Sequence, residues 1–363
     1  MKVITYEQKC SDSNIFFPSY FEYFNKKDKL LFFDIETTGF APKNTTLYLI
    51  GALWFDEDTI KIQQWFNEDG YSEKEILATF DIFSRNFTHL VHFNGLGFDL
   101  PYLKQKAELL EVPFVADQNL SQIDIYKEIR SYQKIFGIDN MKQISIEQYL
   151  GIKRQDNYSG KELIHMYQKY VAKPDQKTEE LLLLHNHDDL LGMPQISKIL
   201  NYKAFFEALD ILTLETKIDE KGMSISFSFD FFASLPNRIS LSKDQIYLNG
   251  IDTQATLYIP IIQGTLKHYF PDYKNYYYLP DEDMAIHKSV ARFVDPDHRE
   301  KAKKDTCYIK KQDYFIPYFV PNLPKFYKDH CSDKKSYQTL ESFQSSDDMI
   351  QKEYIKNTLQ IFL

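Results

Sequence analysis

The chain has 363 residues and a formal net charge of −9, with 43% hydrophobic and 26% charged residues. That length allows two domains, and no run approaches the roughly 18 apolar residues a membrane helix needs. The acidity excludes a protein that coats nucleic acid by bulk electrostatics, but not an enzyme that engages a few nucleotides through metal ions and local basic groups.

Three cysteines, Cys10, Cys307 and Cys331, are far apart and odd in number, and no C-x-x-C occurs. Neither a zinc cage nor a disulfide framework is expected. The opening residues Met1–Glu7 lack the apolar segment of a signal peptide, so a reducing cytoplasm is the expected location. The 26 tyrosines and 29 phenylalanines read mostly as core, with stacking platforms for bases as the alternative.

Residues 1–28 read as an amphipathic N-terminal arm packing on the first domain. Leu30–Phe33 is a short buried strand into which Asp34 and Glu36 break. Residues two apart on a strand share a face, so the two carboxylates stand side by side with Ile35 opposite. Such a pair repels itself unless a cation sits between; the other reading is an edge strand with two solvated acids. Thr37-Thr38-Gly39 ends the strand and leaves the pair at a mouth.

Leu47–Phe55 and Ile60–Phe66 are further strands, joined by the turn Asp56-Glu57-Asp58 and hence antiparallel. Ser72–Phe83 has helical spacing, with Ser72 as N-cap and Glu75 three residues on. Leu90–Phe93 is a fourth strand, stopped by Asn94-Gly95-Leu96-Gly97. The next helix runs from Phe98 to about Leu110 and carries Asp99 in its first turn. Asp99 either complements the helix dipole or belongs to a site, since loops at strand ends are where α/β proteins keep them.

Ile123–Ile125 reads as a short fifth strand, followed by helices over Tyr126–Phe136 and Asp139–Gly151. Ser159 and Glu162 form a second Ser-x-x-Glu box opening a helix to about Val171. Thr178–Leu200 is the longest helix, with Pro194 as a kink. On it His185 and Asp189 share a face at i and i+4, extended by Leu182 and Met193. An acid on such an apolar stripe needs a partner, and a metal ion is one. His187 and Asp188 fall on other faces, in solvated or core-rim positions.

Three strands followed by alternating helix and strand predict a mixed α/β sheet flanked by helices. Beyond residues 203–211 the pattern turns β-rich, with Leu212–Ile218, Met223–Phe229, Arg238–Leu241, Gln245–Leu248 and Thr253–Ile259 as short strands and a helix near Met349–Leu359. The expected organisation is an arm over 1–28, an α/β domain over 29–205 and a β-rich α+β accessory domain over 206–363.

Asp34, Glu36, Asp99 and Asp189 thus come from strand ends and helices in a fixed order. D-I-E-T-T-G, F-N-G-L-G-F-D and H-N-H-D-D resemble the three motifs of the DEDD superfamily of 3′-to-5′ exonucleases, which have a ribonuclease-H-like fold. The stretch Leu150–Gly160, L-G-I-K-R-Q-D-N-Y-S-G, is similar to a segment of the YprB-like ribonuclease-H-like branch. The resemblance covers residues 29–200. It implies a metal-dependent 3′-5′ exonuclease acting on a single-stranded 3′ end of nucleic acid, with two Mg²⁺ or Mn²⁺ ions on Asp34, Glu36, Asp99 and Asp189. Asp34 then bridges both ions, Glu36 and Asp189 hold the water-activating one, and Asp99 supports the other.

His185 departs from the pattern. It stands where the tyrosine subclass has tyrosine, while the histidine subclass has its histidine five residues before the aspartate, where this chain has Leu184. His185 either orients or deprotonates water or hydrogen-bonds a neighbour. Thr37, Asn94, Lys153 and Arg154 are the expected substrate contacts, and Asp156 is an alternative ion-pair partner for Arg154. The rivals are a structure-specific endonuclease on the same fold and a non-catalytic nucleic-acid-binding module; four retained carboxylates argue against the last. The basic segment Ile286–Lys311, with Lys303, Lys304, Lys310 and Lys311, either steers a single strand or is a solvated helical face.

Overall fold

Apolar runs in the first third of the chain build one sheet. In the computed structural model its strands are β1 (Lys2–Lys9), β2 (Leu30–Thr37), β3 (Leu47–Asp56), β4 (Thr59–Phe66), β5 (His89–His92) and β6 (Ser121–Asp124), in the spatial order β1-β4-β3-β2-β5-β6. The pairings β1–β4, β4–β3 and β3–β2 are antiparallel. Those of β2 with β5 and β5 with β6 are parallel. The structure describes residues 1–13, 15–18, 20–21, 29–154, 158–207, 210–321 and 323–363, with the side chains of 117 and 118 left aside. The chain divides into two compact units, Met1–Phe205 with Leu235–Asn237, and Phe206–Ser234 with Arg238–Leu363.

Both faces of the sheet are covered, which makes this a mixed-sheet α/β fold flanked by helices. On one face Phe33, Ile35, Ile50 and Trp65 pack with Ile76, Leu77 and Phe80 of α1 (Glu73–Ser84) and Leu100 and Leu103 of α2 (Asp99–Leu110). Helix α3 (Gln143–Leu150) follows. The second core cluster joins Tyr48, Leu49 and Phe66 to α4 (Gly160–Ala172) and α5 (Gln176–Ile196) through Leu163, Tyr167, Leu182 and Leu183. Each such side chain removed from water contributes about 1.5–3 kcal/mol, so α5 is held on the sheet by its apolar flank. Ile35 joins the α1–α2 core while Asp34 receives a hydrogen bond from α5, the alternation expected of a strand.

Several local expectations change. Lys2–Lys9 is not an arm but an edge strand, paired along its length with β4. It is mostly exposed, so it lacks the apolar pattern that marks a strand. Ser72 precedes α1 without capping it: its hydroxyl bonds the Asp69 carboxylate and accepts from the N-terminal amine. Ser159 and Glu162 do form a reciprocal capping box. The helix expected over Tyr126–Phe136 is helical at Ile125–Ile129 and Gln133–Phe136, with a 3-10 turn at Arg130–Tyr132 between them. The buried Ile125, Ile129, Tyr132 and Phe136 keep helical spacing throughout, which is why the periodicity reads as one helix.

The second unit is β-rich. Strands β7 (Ile211–Ile218), β8 (Ser224–Lys243) and β9 (Ile246–Pro260) form one sheet. The four short strands expected within 223–259 are two long ones, because polar residues inside them face solvent without ending the pairing. A small closed barrel joins β10 (Ile262–Tyr269), β14 (Tyr308–Pro317), β15 (Phe326–Tyr327) and β16 (Tyr337–Thr339). Between them lies a three-stranded sheet of β11 (Tyr276–Leu279), β12 (Met284–His287) and β13 (Glu300–Lys301). Helix α6 (Asp348–Leu359) follows near the C-terminal end.

Candidate active site

The acids of D-I-E-T-T-G stand where β2 leaves the sheet. A register shift between Glu36 and Thr37 marks a bulge at that point, a device that re-aims side chains at strand ends. From α5, Asn186 Nδ2 donates to Asp34 Oδ2 at 2.9 Å. Tyr48 Oη donates to Glu36 Oε2 at 3.2 Å. One turn of α5 carries His185 and Asp189, and His185 Nε2 lies 3.5 Å from both Glu36 Oε1 and Asp189 Oδ2. One ligand atom from each of Glu36, His185 and Asp189 falls within 4.8 Å of the others.

Asp99, at the first position of α2, is buried. The backbone N–H groups of Asp99 and Ile35 hydrogen-bond its carboxylate. Burial nevertheless pushes its pKa up to about 7, with the charges of Asp124 and Asp189 adding to the effect. Burial also lifts Glu36 to about 7, against the opposing influence of His185 and with Asp189 adding. Asp34 is raised well above the usual aspartate range by burial and then by Asp189, Glu36 and Asp99; the Asn186 donor works the other way. These are the desolvation and like-charge causes expected of clustered carboxylates.

A divalent cation fits this donor set. Clustered carboxylate oxygens with no thiol suit hard ions such as Mg²⁺ or Mn²⁺. The same cation would offset the burial and, with it, the repulsion that raise the three carboxyls.

The loop Asn94–Gly97 is built around a second acid. Asp124 accepts from Asn94 N at 2.9 Å and Leu96 N at 3.1 Å, while Asn94 itself has a left-handed backbone, φ 64°. Exposed Asn94 borders a cleft of about 920 Å³, together with Phe93, Tyr126, Arg130, Lys142 and Gln143. Gln143 Nε2 donates to the Asp189 carbonyl at 3.2 Å, so the cleft adjoins the carboxylates.

The other expected contacts divide. Thr37 donates from Oγ1 to the Gly39 carbonyl at 2.9 Å and shapes the strand end. Lys153 is exposed and lines a different cleft with Asp188 and Gln195. Arg154, read as a phosphate contact, instead reaches Asp189 Oδ1 at 2.8 Å and Glu147 Oε2 at 3.2 Å. Asp156 lies outside the described residues. Of the basic segment, Lys310 pairs with Asp283 and Lys311 with Asp313, and its strands exclude a continuous helical face.

Sequence reasoning missed the groups that orient the acids. Asn186 sits inside H-N-H-D-D, fully buried, and its Oδ1 accepts from Gln64 Nε2 at 2.8 Å. An asparagine between two histidines on a helix against a sheet was the available signal. Tyr48 stacks on Tyr167 with ring centroids 4.4 Å apart; nothing local separates it from an ordinary core aromatic. Asp124 owes its role to partners distant in sequence, Asn94 and Leu96.

Residues 31–201 match the family model described as RNase_H superfamily. No curated protein matches the chain. Among solved structures it is similar to the family B DNA polymerase from the hyperthermophilic archaeon Pyrobaculum calidifontis, with 18% identity and TM-score 0.42 over 49% of this chain and 25% of that one. It is also similar to E. coli Exonuclease I in complex with a dT13 oligonucleotide, with 12% identity and TM-score 0.34 over 61% of this chain and 55% of that one. The chain therefore spans a quarter of the polymerase and just over half of the exonuclease.

Proposed function

We propose, with residues 31–201 belonging to the RNase H superfamily, that this protein is a divalent-metal-dependent nuclease removing nucleotides from the 3′ ends of single-stranded nucleic acid. The observation that carries this reading is the meeting of Glu36, His185 and Asp189 within 4.8 Å, with Asp34 beside them through Asn186. A phosphodiester is anionic, and two Mg²⁺ or Mn²⁺ ions bound there would supply charge neutralisation, an activated water and stabilisation of the leaving 3′-oxygen.

The protein's own groups do the rest. Asp34, Glu36 and Asp189 would hold the cations, with Asp99 in support from the start of α2. Asn186 and Tyr48 fix which oxygens of Asp34 and Glu36 face the mouth. To His185, whose Nε2 faces Glu36 and Asp189, we assign the proton of the attacking water. Asn94 meets the terminal nucleotide across the adjoining cleft. Arg154 holds Asp189 in place rather than meeting phosphate.

The test is digestion of matched 5′-labelled deoxy- and ribo-oligonucleotides with Mg²⁺ or Mn²⁺. Stepwise shortening supports the exonuclease, and internal cuts replace it with the endonuclease. Asp34→Asn is expected to lower the rate by a factor of about a hundred to a thousand, the range electrostatic transition-state stabilisers command, with the thermal unfolding transition retained. Undiminished digestion by that variant removes Asp34 from the site.

A further inference from the structure

The second unit carries a cleft that the chemistry proposed above does not use. It lies between the β8–β9 turn, the end of β14 and the start of β16, with a volume of about 360 Å³. Tyr318, Phe319 and Tyr337 line it, and so do Lys328, Lys334 and Lys335. Lys335 is paired with Asp244 at 2.6 Å. Lys328 and Lys334 are exposed, and among the described residues neither makes an ion pair. Lys328 stands over the Tyr337 ring at 5.6 Å, and Lys325 over Tyr318 at 5.1 Å.

The aromatic wall is held still. Tyr318 N donates to the Ser336 carbonyl at 2.9 Å. From α6, Tyr354 Oη donates to the Pro317 carbonyl at 2.9 Å and Asn357 Nδ2 to the Phe319 carbonyl at 2.8 Å. Tyr318 and Phe319 are nonetheless only half-buried. Half-exposed rings on a pinned backbone beside uncompensated ammonium groups are the two elements that sequence-tolerant single-strand recognition requires: a face for a base and charge for the flanking phosphates. In a chain of net charge −9, such a spot has to act by contact rather than by long-range attraction. An acidic peptide would satisfy the lysines but offers the rings no planar partner.

We infer that this cleft is a second nucleic-acid site, taking a base of a single strand against Tyr318 while neighbouring phosphates meet Lys328 and Lys334. It is separate from the carboxylate site and needs no hydrolysis.

The experiment measures binding of a fluorescent oligothymidylate to the full chain by anisotropy in EDTA, so a failure of the nuclease reading leaves the result interpretable. A Glu-rich peptide of equal charge is measured in parallel. Lys328→Glu with Lys334→Glu is expected to weaken oligonucleotide binding at least tenfold and to lower the salt slope by about 1.4, at about 0.7 per phosphate for single strands. Tyr318→Leu is expected to weaken binding about fivefold or more, the lower end of a stacking contribution, with the slope kept. Unchanged affinity and slope in both variants overturn the site. Equally tight peptide binding, lost in the same variants, overturns its assignment to nucleic acid.

Discussion

Asn186 shows how one buried amide sets the chemistry of an acid. Its Nδ2 donates to Asp34 while its Oδ1 accepts from Gln64, so the amide orientation is fixed from the sheet side. The donor favours ionised Asp34, against the burial and like charge that favour the protonated form. Asn186→Ala therefore raises the Asp34 pKa further. The acidic limb of the pH–rate profile is expected to move to higher pH, with the maximal rate less affected than the rate at low pH. A uniformly lowered profile would mean that Asn186 only packs. Arg154 supports a second prediction, because its guanidinium pairs with both Glu147 and Asp189. Glu147 is almost fully buried, and removing one partner of a buried pair costs about 3–5 kcal/mol. Arg154→Met should destabilise by about 3 kcal/mol in urea unfolding, and adding Glu147→Leu should recover most of it. No recovery in the double variant would refute Glu147 as the group left stranded.

The close seat of α5 on the sheet rests on a position with no side chain. Gly51 of β3 lies opposite Asp34 in register. A Cβ there would come within 1.9 Å of Asn186 Oδ1 and 2.7 Å of a Leu190 methyl. Gly51→Ala must then push α5 outward, with Asn186, His185 and Asp189 on it. The expected cost is about 1–3 kcal/mol, typical of overpacking, together with a loss of metal-dependent activity larger than that of Ile82→Ala on the exposed face of α1. Normal activity in a destabilised Gly51→Ala would show that the site tolerates displacement of α5. The glycine is visible in the sequence only as a break in an apolar strand. The helices and strands were readable because their signals are local: Leu30–Phe33, the 3.6-residue spacing of Ile76, Leu77 and Phe80, the Ser159–Glu162 box. β1 was not, since an exposed edge strand gains its identity from pairing with β4.

Across the chain, the acids and the support around them differ in how far apart their partners stand. Asp34 and Glu36 stand out by strand alternation and Asp189 by its apolar stripe, while Asp99 is singled out by the resemblance of its motif. Their orientation depends on contacts such as Tyr48 to Glu36 and Gln64 to Asn186, the latter 122 residues apart, and no local pattern encodes these. The folded chain buries and gathers acids that the unfolded chain keeps solvated and apart, and stability should record both effects. Asp34, Glu36 and Asp99 have folded pKa values above their ordinary ones, about 7 for the latter two. As pH rises from the ordinary carboxyl range to about 7, the unfolded state releases protons that the folded state retains, so stability falls with pH. Each tenfold change in proton affinity is worth about 1.4 kcal/mol. In EDTA the melting temperature is expected to drop between about pH 5 and about pH 8, and less steeply in Asp34→Asn, which removes one of the repelling charges. Mn²⁺ competes with those protons, so the rise in melting temperature it produces should be greater at the higher pH. An equal Mn²⁺ effect at both ends, with the same slope in wild type and Asp34→Asn, would place the cation elsewhere than on these carboxylates.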